Sequence, residues 1–145
     1  MQYQYINVEP LTASIGAVIS GVNLGDNLSE RVMAEVHAAW LEHLVIFFRD
    51  QQLTEEQHIA LGRKFGELHI HPAAPYRHEN PALMVVHTDA DSHRSNGEVW
   101  HSDVSADEEP PKASILYLQT VPETGGDTIW ANMYAAYDAL SGPIQ

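Results

Sequence analysis

The pattern of hydrophobic and polar positions divides the first half of the chain into short strands and helices. Two short β-prone runs, residues 5–8 and 14–19, are punctuated by glycines, and this pattern predicts two strands joined by turns. Large apolar side chains then recur at every fourth position behind Ser29, a residue type that caps helices. The members of this stripe, which predicts a helix packed on the core, are Val32, Val36, Trp40 and Leu44.

A buried strand and a second helix are predicted next. The continuous apolar run at residues 44–48 is typical of a buried strand, and a turn at residues 49–51 ends it. Thr54 and Gln57 have the spacing of a capping box, in which each side chain satisfies a free backbone N–H group. We expect the helix that they begin to extend to about Phe65.

The second half of the chain is poorer in helix signals. Prolines make residues 72–81 loop-like, and apolar, β-prone runs predict strands at residues 83–87, 113–121 and 127–130. One further helix is predicted near residues 133–140, before a Gly-Pro pair. The fold class that these elements indicate is mainly β with flanking helices.

Composition narrows the class of protein. A chain of 145 residues with 44% hydrophobic and 19% charged residues has the size and character of one globular domain. Because cysteine is absent, disulfides and thiolate ligands are excluded, and a metal ion would bind to nitrogen and oxygen donors. No apolar run approaches the ~20 residues that span a bilayer, and we expect a cytoplasmic protein. The net charge of −13 argues against nucleic-acid partners and anionic membranes.

The tripeptide His101-Ser102-Asp103 is the strongest candidate for chemistry. On a strand, His101 and Asp103 would point to one face, because successive side chains alternate. One imidazole and one carboxylate are two of the three ligands in the 2-His-1-carboxylate triad of non-haem Fe(II) enzymes. Two other interpretations stay open from the residues alone: a hydrogen-bonded His–Asp pair, and a rival metal pair formed by His69 and His71.

Several separate segments resemble the Fe(II)/2-oxoglutarate-dependent taurine dioxygenase family. Residues 100–140, which contain Trp-His-Ser-Asp and Thr-Gly-Gly-Asp-Thr-Ile-Trp, are similar to the family in order, spacing and residue type. Residues 15–17, 45–51 and 65–72 resemble its N-terminal segments, so that the resemblance covers nearly the whole chain. The fold that it implies is a double-stranded β-helix, or jelly roll.

The resemblance implies an activity and a set of site residues. The implied reaction is hydroxylation of a small, anionic organic substrate (a sulfonate, sulfate ester or carboxylate) with O2 and 2-oxoglutarate, which releases succinate and CO2. It assigns His101 and Asp103 as Fe(II) ligands, Thr128 as a contact of 2-oxoglutarate and His71 as a contact of the substrate. No catalytic residue beyond the metal ligands is predicted, and a homo-oligomer is expected.

The resemblance also implies that residues 1–145 are the N-terminal portion of a single dioxygenase domain. In the family, the third iron ligand and the arginine that holds 2-oxoglutarate follow in a later part of the chain, whereas every arginine here precedes His101. We therefore expect this incomplete jelly roll to be inactive as an isolated piece. Ala74, Gly97 and Ala106 depart from the taurine-specific pattern, which disfavours taurine as the substrate.

Two other functional classes remain as alternatives. A non-catalytic metal-binding jelly-roll module would need neither a third ligand nor an arginine. A metal-dependent hydrolase of cupin-like form would use His69, His71 and His101 as ligands.

Overall fold

The computed structural model describes residues 2–71, 80–89, 91, 92, 97 and 99–145. Its regular elements within those residues, in chain order, are strands β1 (Asn7–Pro10) and β2 (Ala17–Ser20), helix α1 (Glu30–His43), strand β3 (Ile46–Phe48), and helices α2 (Glu55–Arg63) and α3 (Met133–Asp138).

The three strands form one sheet in the order β1-β2-β3. Strands β1 and β2 are antiparallel, with Asn7 opposite Ser20 and Pro10 opposite Ala17. Strands β2 and β3 are parallel, and α1 makes the crossover that a parallel pair requires. The turn between β1 and β2 is closed by a 2.9 Å hydrogen bond from the Leu11 N–H to the Gly16 carbonyl.

The core of the described residues lies between β2 and the face of α1 that packs on it. Ala17 and Ile19 are buried on one face of β2, as the two-residue period of a strand requires. Val36 and Ala39 are buried on α1, three positions apart and therefore on one face of the helix. The predicted helix is thus confirmed, although Val32 and Trp40 of its stripe are only half-buried.

The caps predicted from the sequence are present at both helices. The Ser29 hydroxyl accepts a 3.4 Å hydrogen bond from the Val32 N–H at the start of α1. At α2 the Thr54 N–H donates to Gln57 Oε1 (2.8 Å), and the Gln57 N–H donates to Thr54 Oγ1 (3.2 Å). Helix α2 ends at Arg63, slightly before the predicted end at Phe65.

The chain divides into two compact units. The first consists of Met1–Gln57 with Gln119–Gln145, and the second consists of His58–Leu118. The first unit holds the sheet, α1 and α3. In the second unit, the described residues after α2 contain no regular secondary structure.

The strands predicted at residues 83–87, 113–121 and 127–130 do not form in the described residues. A β-strand is stabilised by hydrogen bonds to a neighbouring strand and by burial of one face, and these segments have neither. Their apolar side chains are exposed instead, as Val85 (50%), Leu116 (65%) and Ile129 (65%) illustrate. The observed fold is therefore a small sheet with helices.

Helix α3 confirms the prediction near residues 133–140, although it ends at Asp138. Asn132 caps it by accepting a 3.0 Å hydrogen bond from the Ala135 N–H, and its side-chain amide donates to the Ser14 carbonyl (2.7 Å). These bonds attach α3 to the N-terminal segment within the first unit. None of the helices in the described part of the chain is long and apolar enough to cross a membrane.

Candidate metal centre

His101 and Asp103 lie close together in the second unit. The His101 Nε2 atom is 3.2 Å from Asp103 Oδ1, the convergence that the H-x-D spacing predicts. The predicted reason for it is wrong, because neither residue lies on a strand. Residues 101 and 102 have no regular structure, and Asp103 is the first residue of a turn at residues 103–106.

A hydrogen bond to the backbone fixes the tautomer of His101. Its Nδ1 atom lies 2.7 Å from the Val99 carbonyl oxygen, which can only accept, so Nδ1 carries the proton. In neutral imidazole the lone pair is then on Nε2, and that lone pair faces the acceptor Asp103 Oδ1. Two acceptors at 3.2 Å are stable together only if Nε2 is also protonated or if a cation binds both atoms.

The second carboxylate oxygen of Asp103 has its own partner. The Ser114 hydroxyl donates a 2.8 Å hydrogen bond to Oδ2, so the two oxygens face different neighbours. The His101 and Asp103 side chains are 52% and 56% exposed, which leaves the outer side of the pair open to solvent and to a ligand.

The donor set fits a divalent transition metal in part. One neutral imidazole nitrogen and one carboxylate oxygen suit Fe(II), Mn(II) or Zn(II), and a backbone carbonyl that holds the other ring nitrogen is a common outer partner of metal-binding histidines. Among the residues that the structure describes, no three His, Asp or Glu side chains are grouped closely enough to hold a metal ion. The described residues therefore supply two ligands of an incomplete set.

The backbone directly after Asp103 is strained. Val104 has a φ of +49°, in the left-handed region that β-branched residues strongly disfavour. Such a conformation costs roughly 1–3 kcal/mol and is found more often at functional sites than elsewhere.

A second H-x-D pair provides an internal comparison. His87 Nε2 lies 3.1 Å from Asp89 Oδ2, but the His87 side chain is 76% exposed. Asp89 Oδ1 accepts bonds from the Ser92 hydroxyl (2.8 Å) and the Asp91 N–H (3.1 Å), both within its own turn. These hydrogen bonds and the neighbouring His87 hold the pKa of Asp89 below its usual value. His87 and Asp89 therefore belong to a local turn motif.

The rival pair, His69 and His71, does not form a metal site in the described residues. His69 Nε2 lies 3.2 Å from Asp107 Oδ2, and the described residues contain no group of three possible ligands here. His71, the predicted substrate contact, is half-buried at the end of a segment without regular structure. Residues 72–79, which include Ala74, lie outside the described residues.

Thr128, the predicted contact of 2-oxoglutarate, lines a cleft in the first unit. The cleft has a volume of about 280 Å³ and is lined mainly by apolar side chains from the N-terminal turn, β3 and residues 128–130. Phe47 and Trp130 meet edge to face at its wall, with ring centroids 5.3 Å apart. Thr128 thus places a hydroxyl donor on the wall of an otherwise largely apolar cleft.

Two partners in the candidate centre were not predicted from the sequence. The Val99 carbonyl is a backbone group, which has no sequence signature. Ser114 follows Asp103 by eleven residues, and its contact depends on how the intervening turn and the Pro110-Pro111 pair direct the chain.

Comparison with known proteins identifies the class. Residues 7–145 match the family described as Taurine catabolism dioxygenase TauD, TfdA family. Because the match extends over nearly all of its length, this chain belongs to that family.

Individual relatives agree with the family match. The chain is 38% identical over 141 residues to the alpha-ketoglutarate-dependent sulfate ester dioxygenase of Pseudomonas putida, covering 97% of this chain and 46% of the relative. It is also 38% identical over 142 residues to the (S)-phenoxypropionate/alpha-ketoglutarate-dioxygenase of Sphingobium herbicidovorans, covering 96% and 49%.

A solved structure shows the same fold. The crystal structure of a taurine dioxygenase from Burkholderia xenovorans superposes with a TM-score of 0.82 at 38% identity, covering 97% of this chain and 50% of that chain. The chain thus spans about half the length of the relatives that it matches.

Proposed function

We propose that the protein is an Fe(II)/2-oxoglutarate-dependent dioxygenase that hydroxylates a small anionic organic substrate and releases succinate and CO2. The observation that carries the proposal is the convergence of His101 Nε2 and Asp103 Oδ1, which lie 3.2 Å apart, in a member of this family. With its proton on Nδ1, neutral His101 can bind a cation through Nε2, beside Asp103 Oδ1.

The residues of this chain would hold and orient the reacting groups. His101 Nε2 and Asp103 Oδ1 would bind Fe(II), which with 2-oxoglutarate supplies the O2-activating chemistry when it is bound. The Thr128 hydroxyl would donate a hydrogen bond to a carboxylate of 2-oxoglutarate. His71 would bind the anionic group of the substrate by donating a hydrogen bond.

We further propose that residues 1–145 are the N-terminal portion of one dioxygenase domain whose complete form is a jelly roll with flanking helices. Two observations support this proposal: the relatives are about twice as long, and the segments predicted as strands expose their apolar side chains. The remaining portion would supply the strands that pair with these segments, the third metal ligand and the arginine for 2-oxoglutarate.

The substrate class rests on the same resemblance and on the names of the relatives. A sulfate ester and a phenoxypropionate both carry an anionic group on an organic body. Ala74, Gly97 and Ala106 depart from the taurine-specific pattern, so we place sulfate esters, other sulfonates and aryloxy acids ahead of taurine. We also propose a cytoplasmic homo-oligomer. The net charge of −13 argues against nucleic-acid and anionic-membrane partners.

Succinate formation tests the proposal directly. The complete protein is incubated with Fe(II), 2-oxoglutarate and a panel of sulfate esters, sulfonates and aryloxy acids, with and without a chelator. We expect substrate-dependent succinate release that the chelator abolishes, and we expect His101→Ala and Asp103→Ala to reduce it to background.

The second H-x-D pair supplies the matched control. His87→Ala and Asp89→Ala remove the same two side-chain types at the same spacing, and both variants should keep wild-type turnover. Full turnover in His101→Ala or Asp103→Ala would contradict the assignment of the metal centre. A protein that binds metal without forming succinate would instead support the non-catalytic module.

A further inference from the structure

We infer that Ser114 is a positioning residue that orients the carboxylate of Asp103 for metal binding. The inference rests on the proposed function, because it concerns the same centre. It is carried by the 2.8 Å hydrogen bond between the Ser114 hydroxyl and Asp103 Oδ2.

The direction of this hydrogen bond is fixed by the chemistry of the two groups. An ionised carboxylate has lone pairs and no proton, so Asp103 accepts and Ser114 donates. Hydrogen bonds to a charged acceptor are shorter and stronger than neutral ones, and the distance of 2.8 Å is in the normal range for O–H donors. Ser114 therefore restricts rotation of the carboxylate about its Cβ–Cγ bond.

The two carboxylate oxygens of Asp103 therefore have different partners. Oδ2 is held by Ser114, whereas Oδ1 is directed at His101 Nε2, 3.2 Å away. Oδ1 is then the oxygen that can bind a cation together with His101 Nε2. A carboxylate that offers a single oxygen leaves more of the coordination sphere open for a co-substrate and O2 than one that offers both.

The hydrogen bond between Ser114 and Asp103 joins two separate segments of the chain. The other serines of the loop, Ser102 and Ser105, bond to each other at 2.7 Å within one turn. Ser114 lies beyond the Pro110-Pro111 pair, in the segment predicted as a strand, and its hydroxyl joins that segment to the ligand loop. If the segment pairs in the complete domain, the strand would hold Ser114, and through it Asp103, in place.

Metal affinity tests the inference without reliance on turnover. The dissociation constant for Mn(II) alone is measured by titration with detection of free Mn(II) by electron paramagnetic resonance. The complete protein is compared with Ser114→Ala, Ser114→Thr and Ser105→Ala. Loss of an outer hydrogen bond to a metal ligand typically weakens affinity by about 10–100-fold, and Ser114→Ala should fall in that range.

The two other variants separate positioning from packing. Ser114→Thr keeps a hydroxyl donor, and Ser105→Ala removes a hydroxyl from the same loop that does not contact Asp103, so both should bind Mn(II) as the wild type does. In the Co(II)-substituted protein, the intensity of the visible d–d bands, which reports coordination number, should change in Ser114→Ala and stay constant in Ser105→Ala.

The outcomes distinguish this inference from the proposed function. Equal Mn(II) affinity and equal Co(II) spectra in wild type and Ser114→Ala would overturn the inference while the metal centre stands. Equal weakening in Ser114→Ala and Ser114→Thr would also overturn it, because the hydroxyl would then not be the cause. A wild-type protein that binds no Mn(II) would refute the metal centre and, with it, the proposed function.

Discussion

Residues 2–63 and residues 80–145 have similar numbers of apolar side chains available for a core but use them in opposite ways. All the buried hydrophobic side chains of the described residues lie at or before Leu61, and Ile19 and Val36 are only 2% and 1% exposed. After residue 80, large apolar side chains such as Val99 (74%) and Leu118 (67%) face solvent. The first region therefore forms a core within this chain, whereas the described residues of the second region contribute no buried hydrophobic side chain.

The proposed metal ligands lie in the region that has no buried core in the described residues. The first region holds the sheet and the helix that packs on it, but none of the proposed metal ligands. The second region holds His101, Asp103 and Ser114 in a loop whose geometry is fixed by hydrogen bonds of its own. The ligand loop therefore forms locally, and we propose that further strands complete the scaffold around it.

The largest expected effect is on turnover, which should differ between residues 1–145 alone and the complete protein. Residues 1–145 prepared alone should form no succinate with Fe(II) and 2-oxoglutarate, because two ligands hold a divalent metal weakly and no Lys or Arg after Thr128 supplies a cation for 2-oxoglutarate. The complete protein, assayed in parallel, should turn over. Robust Fe(II)-dependent turnover by a monomer of residues 1–145, verified by intact mass, would show that this chain contains all that the reaction needs.

Paired core and surface substitutions should differ by several kcal/mol in the unfolding free energy of residues 1–145. Ile19→Ala removes buried methyl and methylene groups from the central strand and should cost about 2–5 kcal/mol. Leu116→Ala removes a side chain that is 65% exposed and should change stability by less than about 0.5 kcal/mol. Urea denaturation followed by circular dichroism measures both, and equal losses would contradict the contrast.

His71 lies between the two regions in the sequence, and its replacement should weaken binding of the organic substrate but not of 2-oxoglutarate. In the complete protein, His71→Ala should raise the KM for the organic substrate by about tenfold, because a hydrogen bond to a charged group is lost. The KM for 2-oxoglutarate should stay unchanged. Steady-state kinetics with the best substrate of the panel measures both constants, and equal increases would indicate general damage to the site.

The smallest expected effect concerns the N-terminal segment of the first region. Glu35 on α1 accepts hydrogen bonds from the backbone N–H groups of Gln4 (2.7 Å), Tyr5 (2.8 Å) and Ile6 (3.2 Å). Burial alone would raise the pKa of Glu35, but the three hydrogen bonds outweigh it and the pKa lies below its ordinary value. This contribution to stability is present above the ordinary carboxyl pKa and is lost as the pH falls through the lowered pKa.

Urea midpoints as a function of pH test the Glu35 contacts. Glu35→Gln should be less stable than wild type near neutral pH, and the difference should shrink as the pH falls through the pKa of Glu35. Glu9→Gln, on exposed strand β1, controls for the removal of one negative charge from a chain with a net charge of −13. A Glu35→Gln difference that stays constant with pH would mean that the ionised carboxylate is not what holds the N-terminal segment.

Features that depend on neighbours in the sequence could be predicted, whereas features that depend on distant segments could not. Ser29, Thr54 and Gln57 act through neighbours three residues away, so their capping roles follow from spacing alone. Strand formation at residues 113–121 and 127–130 depends on partners distant in sequence, and a hydrophobic pattern cannot supply them.

In the candidate metal centre, one contact was predicted from the sequence and another was not. The proximity of His101 and Asp103 was predicted from their spacing, although neither residue lies on a strand. Ser114 could not be predicted, because nothing in its neighbourhood marks a serine that reaches back eleven residues to a carboxylate.

A crystal structure of the complete protein soaked with Mn(II), with the metal located by its anomalous scattering, tests the central claim most directly. The account predicts one Mn(II) bound by His101 Nε2 and Asp103 Oδ1 at about 2.2 Å, with Ser114 on Oδ2 and residues 113–121 paired in a sheet. Mn(II) bound at His87 and Asp89, or at His69 and His71, with His101 and Asp103 left without metal, would contradict it.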